Sequence, residues 1–579
     1  MMGMENNQIS DILEEIANML GIEETPTSRF EIRAYKTAAL TISTLQQSVS
    51  EIYAKSGVKG LMELPGIGKG IAGNIEELLS TGRLRKYEEL KKKYPIDFKS
   101  ITKIEGIGAK KAVILYKKLD IKNIDDLKKA IAKHKIMELD KFGARSEEQM
   151  LKGIQMLESS KGRILLGDGL PVGEQMVDAL LKSKLVEKAE IAGSARRMRE
   201  TIGDLDILVT SNKPKEVMEF FINMKNVSNV IVKGDTKSTV WLDIGISCDI
   251  RVIPNESFGA AEQYFIGSKD HNVAIRKIAM KKGYKLNEYG LFDAHEKNIS
   301  SASERDIYKK LGLEYVSPEM RENRGEIELA EKNMLPKIVN YNDLLGDMHT
   351  HTKETDGINS IEEMAEYAMK IGRSYIATTN HTKSLKIANG MNELQFKKYF
   401  ERVDALNSRF SDKFRILKGA EVEILKDGSL DLNRKTLEEM DCVIGAVHMN
   451  TKMDSNEMTK RMICAIESGL IHIVAHPTGR IINERNAYAI DIESVADAAY
   501  KNNVALEINA YPSRLDLNDT NIMLASKYNV MFSIGSDAHR KEHMELLRFG
   551  IGTARRGWLT GNRILNTHSV DEVLKLIKK

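Results

Sequence analysis

The sequence lacks the features that would place it outside the cell or in a membrane. Its 579 residues hold only three cysteines, Cys248, Cys442 and Cys464, with neither CxxC spacing nor an even count. That excludes a disulfide scaffold and fits a reducing cytosol. No apolar run reaches the length of a membrane span, and nothing at Met1-Met2-Gly3-Met4 reads as a signal peptide. A cytoplasmic protein with no membrane partner is therefore expected. Charge of one sign is also missing, because 86 Lys and Arg face 83 Asp and Glu and leave a net charge of +3. The total says little about partners, so the distribution of charge has to be read instead. A chain of this length suggests three or more domains, each large enough for its own core.

Histidine is scarce too, only 12 in all, yet the C-terminal part gathers His349, His351, Asp356, His381, Glu421, His448, His476, Asp537 and His539. Imidazole mixed with carboxylate suits zinc, manganese or iron far better than calcium, which prefers oxygen alone. These residues follow apolar, β-branched runs: Tyr375 to Thr379 before His381, Cys442 to Val447 before His448, Ile471 to Ala475 before His476, and Val530 to Gly535 before Asp537. Such runs predict buried parallel strands alternating with helices in an α/β barrel. Chemistry in such barrels collects at the C-terminal strand ends, where these side chains fall.

This region resembles the PHP (polymerase and histidinol phosphatase) phosphoesterases. The likeness rests on GDMHTHTKETDG at 346–357, TTNHTKSLKIANGMNE at 378–393, GAEVEI at 419–424, AVHMN at 446–450, HPTGR at 476–480, EINAYPSRLDL at 507–517 and GSDAH at 535–539. It implies a distorted TIM-like barrel holding up to three ions, manganese or zinc, on the residues named above. Asn380 stands where the family commonly has Asp, so an orienting carboxylate behind the ligands is expected to be missing.

Upstream, Gly203-Asp204-Leu205-Asp206-Ile207 reads as a strand that turns Asp204 and Asp206 to one face. Cys248-Asp249-Ile250 on a neighbouring strand would add a third carboxylate. Three crowded carboxylates repel one another unless divalent cations neutralise them, and all-oxygen ligands suit magnesium. Gly193 and Ser194 precede this strand and let amides and a hydroxyl approach a triphosphate, to whose oxygens Arg197 offers a fork of donors. Together these residues resemble the nucleotidyltransferase signature of family X DNA polymerases, which work with two magnesium ions. The likeness extends to Tyr264, Phe265, Gly267, Asn272 and Arg276. It implies that Tyr264 and Phe265 pack by the sugar of an incoming dNTP, and that Asn272 and Arg276 reach the minor-groove side of the new pair. Ile266 replaces the family's usual Thr. The resemblance implies that the sugar contact there runs through the backbone, so deoxynucleotides are still expected.

In the N-terminal third, Leu64-Pro65-Gly66-Ile67-Gly68-Lys69 and Ile104-Glu105-Gly106-Ile107-Gly108-Ala109-Lys110 repeat one idea, a Gly-x-Gly turn leading into a helix. The missing side chains let backbone amides meet a phosphate at a helix N-terminus. These segments resemble helix-hairpin-helix motifs, which hold DNA backbone and whose loop carbonyls can take a potassium or sodium ion; a weaker copy lies at Leu139 to Ser146. Lysines and arginines around both turns favour sequence-independent phosphate binding. Where some family X members carry a Schiff-base lysine, this chain has Asn74, so 5'-deoxyribose-phosphate lyase activity is not expected.

The expected architecture is a helical DNA-binding domain over 1–95 with the first hairpin, a helical subdomain over 96–160 with the second, and an α+β nucleotidyltransferase palm over 161–260. A nucleotide-pair checking subdomain over 261–320, a linker over 321–345 and the PHP barrel over 346–579 follow. The resemblance covers nearly the whole chain and points to the bacterial and archaeal family X polymerases with a C-terminal PHP domain. It implies a monomeric, template-directed polymerase that fills short DNA gaps and carries a metal-dependent 3'-5' exonuclease or 3'-end phosphoesterase. The alternative is an RNA or tRNA nucleotidyltransferase fused to a small-molecule phosphatase. Against it stand the paired hairpins, Asn272 and Arg276, because an enzyme without a template has no base pair to inspect.

Overall fold

A computed structural model describes residues 6–22, 26–44, 49–64, 66–102, 104, 107–139, 142–144, 146–148, 150, 151, 154 and 162–577. The chain divides into two units, Met1–Lys161 and Gly162–Lys579. No helix among the described residues is long and apolar enough to cross a membrane.

The first unit is helical: α1 (Asn6–Leu20), α2 (Pro26–Thr44), α3 (Val49–Met62), α4 (Lys69–Thr81), α5 (Arg85–Lys93), α6 (Phe98–Ile101), α7 (Ala109–Leu119) and α8 (Ile124–Ile131). Ile9, Leu13 and Ile16 recur at helical spacing on α1 and are buried with Ile42, Leu61 and Ile75 in one core. Ile104, Ile107, Leu115 and Leu127 belong to a second core.

The second unit opens with the palm. A two-residue ladder, β1 (Ile164–Leu165) with β3 (Thr201–Ile202), flanks a five-stranded sheet in the order β2-β4-β7-β6-β5. Its strands are β2 (Lys188–Ile191), β4 (Asp204–Thr210), β5 (Val227–Lys233), β6 (Lys237–Leu242) and β7 (Ser247–Val252). Alternation decides the faces: Leu205, Ile207, Val209, Cys248 and Ile250 are buried against the helices Leu166–Lys182 and Pro214–Ile222. The carboxylates between them in sequence fall on the opposite face.

The subdomain that follows joins helices Phe258–Ile266, Lys269–Lys281 and Glu304–Lys310 to a small sheet of β8 (Lys285–Asn287), β9 (Gly290–Phe292) and β10 (Asn298–Ser300). Its interior is polar as well as apolar. The fully buried His271 places Nδ1 2.7 Å from Glu326 Oε1 and Nε2 2.8 Å from the Tyr308 hydroxyl. Arg321 is equally buried and donates to the Val316 carbonyl at 2.9 and 2.8 Å and to Glu304. Within residues 321–345, Ile327, Ala330 and Ile338 are buried in the core of this subdomain, while residues 331–334 are exposed.

The barrel is one parallel sheet of seven strands in sequence order: β11 (Gly346–Thr350), β12 (Tyr375–Thr378), β13 (Arg415–Glu423), β14 (Cys442–Ala446), β15 (Ile473–Val474), β16 (Ala505–Asn509) and β17 (Phe532–Gly535). Almost every strand residue is buried, which explains the near-continuous apolar runs. The first and last strands meet, with Thr350 bridged in parallel to Ala538 and the Ser536 amide donating to Asp347 at 3.1 Å. The sheet is thus nearly closed, as the TIM-like expectation requires. Palm and barrel share a core, for Ile482, Leu515 and Phe549 of the barrel are buried among the palm's apolar residues.

Burial holds the His271 imidazole below its ordinary value, against the opposing pull of Glu326. Its folded pKa lies under the unfolded value of about 6.5, so its contribution is complete above that pH and is lost as pH falls below it. The melting temperature should drop between pH 7 and 5, and His271→Gln should flatten that dependence. Equal slopes for parent and variant would contradict the assignment.

Candidate metal centres

At the C-terminal mouth of the barrel, the expected ligands converge. His349 lies near the end of β11 and His351 just past it, with their Nε2 atoms 3.1 Å apart. Asp537 Oδ1 stands 3.6 Å from His349 Nε2 and 3.3 Å from His351 Nε2, and Glu421 Oε2 is 3.6 Å from each. The other oxygen of Glu421 is 3.2 Å from His448 Nε2 and 2.9 Å from His476 Nε2. Asp356 Oδ2 is 3.3 Å from both His381 Nε2 and His539 Nε2. All nine side chains therefore form one nest, and seven of them fall into three overlapping groups in which His351, His381 and Glu421 are each shared by two.

The spacing and the hydrogen-bond pattern fit cations. Donor atoms about 2.1 Å from a tetrahedral ion stand roughly 3.4 Å from one another, close to the separations found here. His381 Nδ1 approaches Glu421 Oε2 to 2.8 Å, yet both atoms are buried without a properly directed hydrogen bond, as are His351 Nδ1 and His476 Nδ1. Buried polar atoms that face one another without pairing are what ligands around an ion leave when the ion is set aside. Burial pushes the Glu421 carboxyl up, but His381, His448 and His349 hold it well below the usual range. His351 is also driven down, to about 3, by burial and then by His539 and His381. His476 and Asp537 also sit at positive φ, 27° and 54°, a local backbone cost that functional sites commonly carry.

Behind the nest is a layer of acids that the motif list did not assign. Glu507 Oε1 is 2.6 Å from His349 Nδ1, and its other oxygen accepts from the His476 amide at 2.6 Å. Glu423 Oε2 is 2.8 Å from His448 Nδ1. Each fixes the ring whose far nitrogen faces the nest. Both lie in alternating positions of buried strands, an acid where an apolar residue is the rule, and that is the signal that could have found them. Asn380 accepts from the Thr352 amide at 2.8 Å and the Thr355 hydroxyl at 3.0 Å, and donates to the Thr352 hydroxyl at 2.9 Å. What it positions is the turn leading to Asp356.

In the palm, β4 and β7 run parallel with Asp206 opposite Asp249, and Asp204 is two residues before Asp206 on the same face. Burial, then Asp204 and Asp249, push the Asp206 carboxyl up to about 6. Asp249 accepts from the Thr239 hydroxyl at 2.7 Å and pairs with Lys237 at 3.1 Å. Gly193 has φ +63°, and a Cβ there would lie 2.5 Å from Asp206 Oδ2. Ser194 Oγ is buried with no partner. Gly203 adjoins Arg163, a half-buried cation absent from the sequence-based site that holds the Thr201 carbonyl at 2.5 Å.

The remaining palm-side residues are engaged by protein. Arg197 donates to the Ile266 carbonyl, next to Gly267, and to Glu322 at 3.2 Å. Asn272 donates to the Tyr264 carbonyl at 2.6 Å and accepts from Gln263 at 2.8 Å. Tyr264 and Phe265 meet edge to face at 5.0 Å, with Arg276 6.0 Å over the Tyr264 ring.

Within the first unit, the two hairpins match in detail. Gly68 caps α4 at φ −82°, ψ 171° and Gly108 caps α7 at φ −86°, ψ 171°, neither with a side-chain cap. The intervening Ile67 and Ile107 are both buried. Gly66 needs to be glycine, since it has φ +75° and a Cβ would meet Thr37 at 2.4 Å. Lys69 and Lys110 follow the caps and are exposed. Gly106, and Asp140, Lys141 and Arg145 of the weaker third copy, lie outside the described residues. Asn74 donates to the Tyr35 hydroxyl at 2.5 Å, and no amine occupies its position.

Family models match a helix-hairpin-helix domain at residues 4–84, a SAM-like helix-hairpin-helix tandem at 98–156, a DNA polymerase beta thumb at 261–322 and a PHP domain at 347–511. DNA polymerase/3'-5' exonuclease PolX of Bacillus subtilis is 35% identical over 579 residues, the full length of both chains. DNA polymerase lambda of Rattus norvegicus is 22% identical over 347 residues, covering 55% of this chain and 56% of that one. A probable phosphatase of Tolumonas auensis is 32% identical over 207 residues, covering 33% of this chain and 77% of its own.

Glu507→Gln keeps the shape of the carboxylate and removes its charge. Metal affinity of the barrel should fall about 10- to 100-fold, measured by metal content after dialysis at buffered free manganese. Unchanged content would show that Glu507 does not orient His349.

Proposed function

The chain belongs to the family X DNA polymerases that carry a C-terminal PHP domain, and on that premise we propose how its two centres divide the work. It is a DNA polymerase with a 3'-5' exonuclease, dependent on divalent metal and binding DNA. The fused RNA nucleotidyltransferase and phosphatase is not favoured, because the thumb and hairpin domains belong to a DNA polymerase.

The reading adopted here assigns synthesis to the palm and removal of 3' nucleotides to the barrel. One observation supports it above the others: the chain holds an all-oxygen group on β4 and β7 and, separately, a nitrogen-rich nest at the barrel mouth. Asp204, Asp206 and Asp249 would hold two magnesium ions, and the nine barrel ligands up to three manganese or zinc ions. When bound, such ions polarise phosphate oxygens and lower the pKa of a hydroxyl or water.

The protein's own groups do the rest. Gly193 leaves room for a triphosphate beside Asp206, and the unpartnered Ser194 hydroxyl offers it a donor. Arg163 brings positive charge to the same mouth, while Arg197 has to leave Glu322 to reach a phosphate. Asn272 fixes the backbone at Tyr264, so its first duty is to hold the nucleotide platform in shape. In the barrel, Glu507 and Glu423 keep their histidines turned inward. Arg514, with Nε 3.6 Å from Asp537 Oδ2, can neutralise charge at the rim. Uncapped helix starts at Lys69 and Ala109 would hold DNA phosphates without reading bases, and the hairpin loops could take a potassium or sodium ion. Short-gap filling with dNTPs by a cytoplasmic monomer completes the proposal.

Replacing both Asp204 and Asp206 by Ala should abolish extension of 5'-labelled gapped DNA and leave manganese-dependent 3' digestion intact, whereas His349→Ala should do the reverse. Loss of both activities in either well-folded variant would contradict two independent centres. Affinity for gapped DNA should fall steeply with salt, and a flat dependence would contradict phosphate-led binding.

A further inference from the structure

Between palm and barrel lies a cavity of about 210 Å³ that neither catalytic centre uses. Its walls come from Arg199 and Glu200 of the palm, Arg324 beyond the thumb, and Asp519, Thr520 and Arg556 of the barrel, and the Glu200 carboxylate is taken by Arg480 at 2.7 Å. The buried Arg556 donates to Asp519 at 2.6 Å, to Glu322 at 2.9 Å and to the Arg197 carbonyl at 2.8 Å. Arg324 is a second cation on Asp519 at 3.1 Å, while Arg197 and Arg199 approach Glu322 at 3.2 and 3.3 Å. Four guanidinium groups thus share two carboxylates.

Arginine keeps its charge at any pH at which the protein is folded, so the cluster holds more positive charge than its acids neutralise. The buried Arg197 and Arg556 are matched by Glu322 and Asp519, so the surplus is carried by the partly exposed guanidinium groups, which an anion can meet. Arg199 and Arg324, with side chains 43% and 31% exposed, are the two placed to receive one. Pockets for drug-sized ligands occupy roughly 300–1,000 Å³, so this smaller space suits a phosphate group or pyrophosphate. Planar guanidinium forks match phosphate oxygens.

We propose that this cavity is an anion site for phosphate chemistry, distinct from both catalytic centres, filled by pyrophosphate or by a phosphodiester of a DNA strand lying between palm and barrel. Because Arg199 and Arg197 lean on the same Glu322, occupancy is felt at the turn that carries Gly193 and Ser194. The site does not depend on either activity, so its test needs no turnover.

The test is calorimetric titration of the full chain with phosphate and with pyrophosphate, in chelator and without metal. The parent should bind pyrophosphate, and Arg199→Gln and Arg324→Gln should each weaken it about tenfold or more, the loss of one charge-assisted hydrogen bond. Arg324→Lys, which keeps the charge, should retain part of the affinity and guards against a folding defect in the Gln variant. Displacement of pyrophosphate by gapped DNA would identify strand phosphate as the occupant, and no displacement would identify free pyrophosphate. No binding by the parent, or equal binding by the parent and the doubly substituted chain, would overturn the proposal.

Discussion

A carboxylate taken out of water must have positive charge within reach, and both centres of this protein are built on that constraint. In the barrel, Glu421 is buried at the meeting point of His349, His351, His381, His448 and His476, and its two oxygens serve different neighbours. In the palm, strand register places Asp206 against Asp249 with Asp204 close by, and the strain shows as a raised Asp206. The donor sets differ, nitrogen-rich in one and oxygen alone in the other. One fold can therefore keep borderline and hard cations apart by ligand chemistry.

The two centres are not strung on a loose tether. Ile482, Leu515 and Phe549 of the barrel complete the apolar interior of the palm, and Pro512 packs so closely on Gly167 that a Cβ there would lie 2.4 Å away. Arg480, four residues beyond the ligand His476, donates to Glu200 of the palm at 2.7 Å and to the Arg514 carbonyl at 2.9 Å. Segments that carry barrel chemistry are thus seated on the palm, and the arginine-rich cavity belongs to the same junction. The thumb joins in through Glu322, which holds Arg197 and Arg556 together.

His381, His448, His476 and Asp537 were legible in the sequence because each follows an apolar run long enough to be a buried strand, and a strand end fixes where the next side chain goes; the other ligands were legible through the motifs that resemble PHP phosphoesterases. Asp204, Asp206 and Asp249 were legible through alternation, and the two hairpins through the repeated Gly-Ile-Gly, which the matching cap angles at Gly68 and Gly108 explain. Partners far apart in the chain were not legible. Glu507 and Glu423 contact histidines 158 and 25 positions away, and only the closed sheet brings them together. Arg163 belongs to no motif and meets Thr201 only through the pairing of β1 with β3. Residues 321–345 read as a linker, yet Arg321 and Glu326 are fully buried because each satisfies partners inside the thumb. Asn380 read as a lost acid, whereas the fold uses its amide to tie down the turn before Asp356.

The central claim is that the chain holds two separate cation pockets of different donor chemistry. Anomalous diffraction at the manganese edge from crystals of the full chain soaked in manganese tests it most directly. The account predicts density beside Glu421 within the histidine nest and separate density between Asp206 and Asp249. Peaks at neither place, or at one of them only under saturating metal, would contradict it.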